Sequence, residues 1–127
     1  MIVGLGIDLV EIARMGQSLS RHEGALKTRV FTAAEREYCE QQARPEVHYA
    51  ARFAAKEAFS KALGTGIGED ASWQEIEVVS DSRGKPALVV TGAARARMQA
   101  LGGEGVHVSL THTESTAGAV VVIEAPA

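Results

Sequence analysis

The sequence predicts an α+β fold, a small and mostly antiparallel sheet packed against helices. Three features carry that prediction. Apolar residues alternate with period two near both ends of the chain, which marks strands. A long alanine-rich segment in the middle is helical in character throughout. Strands and helices do not alternate strictly, so a doubly wound parallel sheet is not expected.

Taken in order, residues 2–10 place Val3, Leu5, Ile7 and Leu9 between Gly4, Gly6 and Asp8, which predicts a strand with one apolar face. Residues 11–23 read as a helix. Thr32 followed by Glu35 is a capping-box pattern, and a helix is expected from about Ala33 to Ala43. Pro45 separates it from the next. Residues 47–63, VHYAARFAAKEAFSKAL, contain no Gly or Pro and end at Gly64, which predicts the main helix. GTGIGED at 64–70 is a loop. Residues 74–80 and 86–91 read as strands around the turn Asp81–Lys85, and 93–101 as a short helix stopped by Gly102 and Gly103. Residues 106–112 and 118–124 read as a last strand pair joined by the polar turn THTEST. The 127 residues show no repeat, low-complexity tract or linker and suit one domain, 1–127.

Composition narrows the function. Hydrophobic residues make up 46% and charged residues 23%, an ordinary globular balance. Aromatics are only 5%, so the core must be mostly Ala, Val, Leu and Ile. A net charge of −3 gives no global pull toward nucleic acid or an anionic membrane, so any recognition of polyanions is local. No stretch reaches the length of a membrane span, and MIVGLGIDLV lacks the basic start of a signal peptide. Cys39 is the single cysteine, so no internal disulfide is possible, which fits a cytoplasmic protein.

Several residues are candidates for chemistry. Asp8 lies inside an apolar strand, where aspartate is disfavoured. Gly4 and Gly6 on its face would leave open space beside it. It is either a surface carboxylate or a metal ligand with room for a bulky ligand. Glu57 and Lys61 are four apart on one helix face, the usual spacing of a solvated ion pair. On a helical wheel, however, both fall among Ala50, Phe53 and Ala54, while Arg52, Lys56 and Ser60 form a separate polar stripe. Charges inside an apolar arc are rarely buried unless paired or bound to something. The loop Gly64-Thr65-Gly66-Ile67-Gly68 would let backbone N–H groups approach an anion, but that signal is weak alone and an ordinary C-cap turn is the commoner explanation. His107, Ser109 and Thr111 share one strand face, and His112 points the other way. No nucleophile elbow and no zinc spacing of Cys and His is present. Arg14, Arg21, Lys27 and Arg29, with Glu11 and Glu23 among them, form either a mixed-charge surface or a docking site for an acidic partner.

Three blocks together, GIDLVEIARM at 6–15, RFAAKEAFSKALGTGIG at 52–68 and HVSLTHTESTAGAVVVIE at 107–124, resemble the holo-acyl-carrier-protein synthase family of phosphopantetheinyl transferases. They follow the family's order and spacing, and the turn Gly84-Lys85-Pro86 matches as well. The resemblance implies the 4′-phosphopantetheinyl transferase fold. It implies transfer of the 4′-phosphopantetheine group from coenzyme A to a serine of apo-acyl carrier protein in fatty acid biosynthesis, releasing adenosine 3′,5′-bisphosphate. It further implies Mg2+ held by Asp8 and Glu57, with Lys61 near the reacting phosphate. Arg52, Gly64, Thr65, Gly66, Lys85, Pro86, His107 and Thr111 would lie along coenzyme A, and Arg14 and Arg21 would face the acidic carrier. A homotrimer with sites between subunits is implied too. Thr111 stands where the family commonly has serine, and the turn Glu114–Thr116 lacks an aromatic residue that some members carry.

Such a reaction needs positioning and charge neutralisation more than covalent catalysis. The nucleophile belongs to the carrier, which accounts for the missing triad. Asp8 would help remove the serine proton, and Lys61 would stabilise the leaving group. A transferase serving another carrier is a close alternative. A non-catalytic trimeric module binding nucleotides or coenzyme A is another, and it would not require Asp8, Glu57 and Lys61 together.

Overall fold

The structure, a computed structural model, describes residues 1–68 and 71–127; Glu69 and Asp70 of the expected 64–70 loop lie outside the described residues. Strand β1 (Ile2–Glu11) leads into α1 (Ile12–Ser20), a 3-10 turn over Arg21–Gly24, α2 (Ala25–Val30) and α3 (Ala33–Glu40). Helix α4 (Pro45–Leu63) follows, then the hairpin of β2 (Ile76–Ser80) and β3 (Pro86–Val90), α5 (Gly92–Ala100), β4 (Gly105–His112) and β5 (Thr116–Glu124). Three strands form an antiparallel sheet in the order β1-β5-β4, and β2-β3 is a separate antiparallel pair. The α+β layer expected from the sequence is the one observed.

Some boundaries differ for identifiable reasons. Helix α4 begins at Pro45, since proline is tolerated in a helix's first turn. The helix expected over 11–23 stops at Ser20. His22 and Glu23 adopt left-handed φ values of 51° and 57°, and Gly24 follows at 79°, which turns the chain into α2. The capping box at Thr32 and Glu35 is present with both of its hydrogen bonds.

Helix α4 is the hub. Ala54, Ala55, Ala58, Phe59 and Leu63 are buried against Val121 and Ile123 of β5 and against Ile76 and Val78 of β2. Toward its N-terminus, Tyr49 and Ala50 pack with Ile12, Met15 and Phe31. The alanines let the helix lie very close to the sheet. A Cβ built on Gly6 would fall on the carbonyl oxygen of Ala58, and one on Gly4 on that of Ala62. The glycines beside Asp8 therefore do not leave open space; helix backbone fills it. Leu5, Ile7 and Leu9 consequently point away from the helix and are 64%, 64% and 70% exposed, whereas Val3 and Val10 pack against the core.

The polar stripe of α4 also departs from expectation. Arg52, Lys56 and Ser60 are buried, because α3 and the β2–β3 hairpin cover that side. The Lys56 ammonium sits 2.8 Å from Glu35 Oε1 and donates to the Trp73 carbonyl at 2.8 Å. Glu35 accepts the backbone N–H groups of Thr32 and Val78, each at 2.8 Å. Paired and hydrogen-bonded in this way, the buried pair ties α3, α4 and β2 together.

Candidate active site

Strand β1 aims Asp8 at α4, where Glu57 and Lys61 lie one turn apart. Lys61 reaches across to the strand: its Nζ is 3.0 Å from Asp8 Oδ1 and donates to the Ile7 carbonyl at 3.0 Å. It pairs with Asp8 rather than with Glu57 on its own helix. The Lys61 side chain is 53% exposed, so the pair adds little stability, roughly 0–1 kcal/mol. Its consequence is orientation of the carboxylate.

Glu57 is half-buried. Burial first, then the facing charge of Asp8, hold its carboxyl above the usual carboxylate range, with Lys61 partly offsetting them. Asp8, Glu57 and Arg14 line one cleft of about 440 Å³, together with Met15, Leu26 and Phe53. Sequence-predicted residues from β1, α1 and α4 thus converge. Arg21 does not line this cleft; it is exposed at the turn after α1.

A second cleft, of about 170 Å³, lies where α3, α4, the hairpin and the end of β4 meet. Tyr38, His48, Arg52, Gly84, Pro86 and His112 line it. Arg52 is only 3% exposed, with its guanidinium carbon 4.0 Å from the Tyr38 ring centroid. Nη2 approaches Ser80 Oγ at 3.5 Å, whereas the buried Nε has no partner among the described residues. A buried donor of this kind calls for an acceptor, from water or a ligand. Asp81 shapes the neighbouring turn by accepting the N–H groups of Arg83 and Lys85 at 2.8 and 2.9 Å. The turn sets Pro86 against the cleft, while Lys85 itself is exposed.

Other candidates sit elsewhere. His107 lies on the outer sheet face, with Nε2 3.2 Å from Glu124 Oε1. Thr111 shares an apolar dimple on that face with Ile7, Leu9 and Val120. In the glycine loop, the Gly64 N–H bonds the Lys61 carbonyl at 3.0 Å and the Gly66 N–H bonds Ser60 at 3.3 Å. Both glycines are left-handed and cap α4, and Thr65 is exposed beside them. Their N–H groups are spent on the helix rather than offered to an anion.

Sequence reasoning missed Tyr38, His48, Ser80 and His112. His48 was within reach, since it precedes Arg52 by one helical turn. His112 was seen to point opposite to Thr111, but nothing local says that Arg52 lies on that side. A larger cleft, of about 460 Å³ between β3, α5 and β4, contains none of the predicted residues.

Comparison with known proteins identifies the family. The model of the 4′-phosphopantetheinyl transferase superfamily matches residues 4–116. A holo-[acyl-carrier-protein] synthase of Syntrophus aciditrophicus is 48% identical over 98% of this chain and 97% of its own length. The crystal structure of the Neisseria meningitidis holo-[acyl-carrier-protein] synthase superposes with a TM-score of 0.89 at 35% identity, covering 98% of this chain and 99% of its own. That of the Bacillus anthracis enzyme in complex with CoA (3′,5′-ADP) gives 0.83 at 39% identity, covering 99% of both chains. The chain belongs to the 4′-phosphopantetheinyl transferase superfamily, among its holo-[acyl-carrier-protein] synthases.

Proposed function

We propose that this protein transfers the 4′-phosphopantetheine group of coenzyme A to a serine hydroxyl of apo-acyl carrier protein, with Mg2+, in the cytoplasm and in the service of fatty acid synthesis. The observation that carries the reading is the convergence of Asp8 and Glu57 at a cleft rimmed by Arg14, with Lys61 bonded to Asp8. The serine oxygen attacks the phosphorus that bears the pantetheine arm. The bond from that phosphorus to the bridging oxygen breaks, and adenosine 3′,5′-bisphosphate leaves. Asp8, oriented by Lys61, takes the serine proton. The Lys61 ammonium faces the charge that develops on the leaving phosphate.

Asp8 and Glu57 are the residues that would hold the metal. Their chemistry fits: burial first, and then the facing charge of Asp8, raise the cost of ionising Glu57, and a cation held by both carboxylates would lower it. Mg2+ binds through one or two carboxylates plus substrate phosphates and water, so two suffice. When bound, it would neutralise the pyrophosphate oxygens around the phosphorus under attack.

The nucleotide end of coenzyme A fits the Arg52 cleft. Arg52 and Glu57 are five residues apart on α4, hence about 140° apart around it. One ligand reaching both clefts is best accommodated between copies of the chain. The outer sheet face supports such an assembly, because Leu5, Ile7 and Leu9 form an exposed apolar row on the edge strand β1, beside β5. A homotrimer through this face would also present His107 and Thr111 to a neighbouring copy. Arg14 and Arg21 would meet the acidic carrier.

The test is mass spectrometry of apo-acyl carrier protein incubated with coenzyme A, Mg2+ and this protein. A gain of one phosphopantetheine group is expected, abolished in Asp8→Ala and Glu57→Ala variants that keep the fold. No gain with several carriers would favour a binding module, and full activity in both variants would remove the metal assignment.

A further inference from the structure

We propose that His48 is a proton-gated ligand of the Arg52 cleft, taking up a proton as the 3′-phosphate of the nucleotide enters. This rests on the reading of that cleft as the nucleotide end of the site. The carboxylates of Asp8 and Glu57, with their cation, suit the pyrophosphate. The group left to meet Arg52 is the other charged end of coenzyme A, a phosphomonoester.

Geometry places His48 for the role. It lies one helical turn before Arg52 on α4, and both line the cleft with His112. Its ring stands edge-on to Tyr38, with centroids 5.8 Å apart and planes at 71°, so its orientation is set by packing. The charged and titratable groups around it are Arg52 and Glu46 on its own helix, His112 on β4 and Tyr38 on α3. The hairpin adds only the uncharged Ser80, Gly84 and Pro86. Without an anion, a second cation beside Arg52 is unfavourable. Burial, then Arg52, then His112 push the His48 imidazole below its usual range, against the opposing pull of Glu46.

A phosphate dianion reverses that balance. The charge on Arg52 is compensated, and a protonated imidazole gains a hydrogen-bonded partner. A base with depressed proton affinity in the free protein and raised affinity in the complex makes binding tighter as pH falls between the two midpoints. Each unit of difference is worth a factor of about ten in affinity. His48 thereby distinguishes a nucleotide carrying a 3′-phosphate from one lacking it.

The test follows the imidazole signals by NMR in the full-length protein, assigned with His48→Phe, whose aromatic ring keeps the contact with Tyr38. His48→Gln serves as a second, uncharged variant. Adenosine 3′,5′-bisphosphate is expected to raise the His48 titration midpoint by about one unit, whereas 5′-ADP does not. Its affinity should rise about three- to tenfold from pH 8 to pH 6.5, and both variants should lose most of that rise. If the nucleotide shifts the signals of His48 and His112 but the midpoint stays put, or the variants keep the same pH dependence, the inference is overturned and the cleft assignment stands. If the nucleotide binds without shifting either signal, the cleft assignment falls too.

Discussion

Replacing Gly6 with alanine adds one methyl group where α4 approaches β1 most closely. The new Cβ would fall on the Ala58 carbonyl oxygen and press on the Ala62 backbone nitrogen. Both are main-chain atoms of a helix, so no side-chain rotation relieves the contact. Helix α4 must move away from the strand. Overpacking of this kind costs about 1–3 kcal/mol, which for a domain of this size lowers Tm by roughly 3–15 °C. The same movement separates Asp8, two residues along the strand face, from Lys61, which now holds it at 3.0 Å. Transfer activity should therefore fall further than the loss of folded protein explains. The assay pairs thermal melts followed by circular dichroism with single-turnover transfer at a temperature where both proteins are folded. Gly16→Ala is the control. There the added Cβ would lie 3.7 Å from Glu46 Cβ, an ordinary contact, inside helix α1. That change should stabilise by about 0.5–1 kcal/mol with transfer unchanged. Gly6→Ala melting at the parent temperature with full transfer would refute the close-approach argument.

Lys56→Met leaves the Glu35 carboxylate buried without its cation and should cost about 3–5 kcal/mol in urea unfolding. Adding Glu35→Gln should recover part of that loss, whereas a cost below about 1 kcal/mol would show the pair to be dispensable. For the proposed homotrimer, Ile7→Asp puts a carboxylate on the apolar sheet face and should reduce the mass measured by light scattering from three chains to one. An unchanged mass would remove that face from the assembly. Charge reversal in Arg14→Glu should raise KM for the carrier severalfold, less so at high salt, and leave KM for coenzyme A in place. The opposite pattern would take Arg14 out of carrier docking.

Much of the fold was legible because its signals are local. Side-chain direction repeats every two residues in a strand and every 3.6 in a helix. That alone locates β1, α4 and the β4–β5 pair closely. The capping box at Thr32 is equally local, three residues from side chain to partner. The faces were harder to read. A wheel gives the angle of Arg52, Lys56 and Ser60 around α4 but not what covers them. A solvated stripe and a buried ion-pair seam therefore look alike. Glycines in β1 signal room in sequence, yet room is what a neighbouring helix takes. The two histidines of β4 were separable by direction, and only the packing of α4 shows that His112 is the one beside Arg52.

By itself, the sequence determined the elements, their order and the residue types available for chemistry. It also singled out Asp8, Glu57 and Lys61 as charges in unusual surroundings. Tertiary structure decided which faces are covered and which charges meet. Asp8 and Lys61 are 53 positions apart, and Glu35 and Val78 are 43. A hydrogen bond acts over about 3 Å, whereas the chain that joins its two ends can take many paths. Contacts of that kind exist only once the packing of distant segments selects one path.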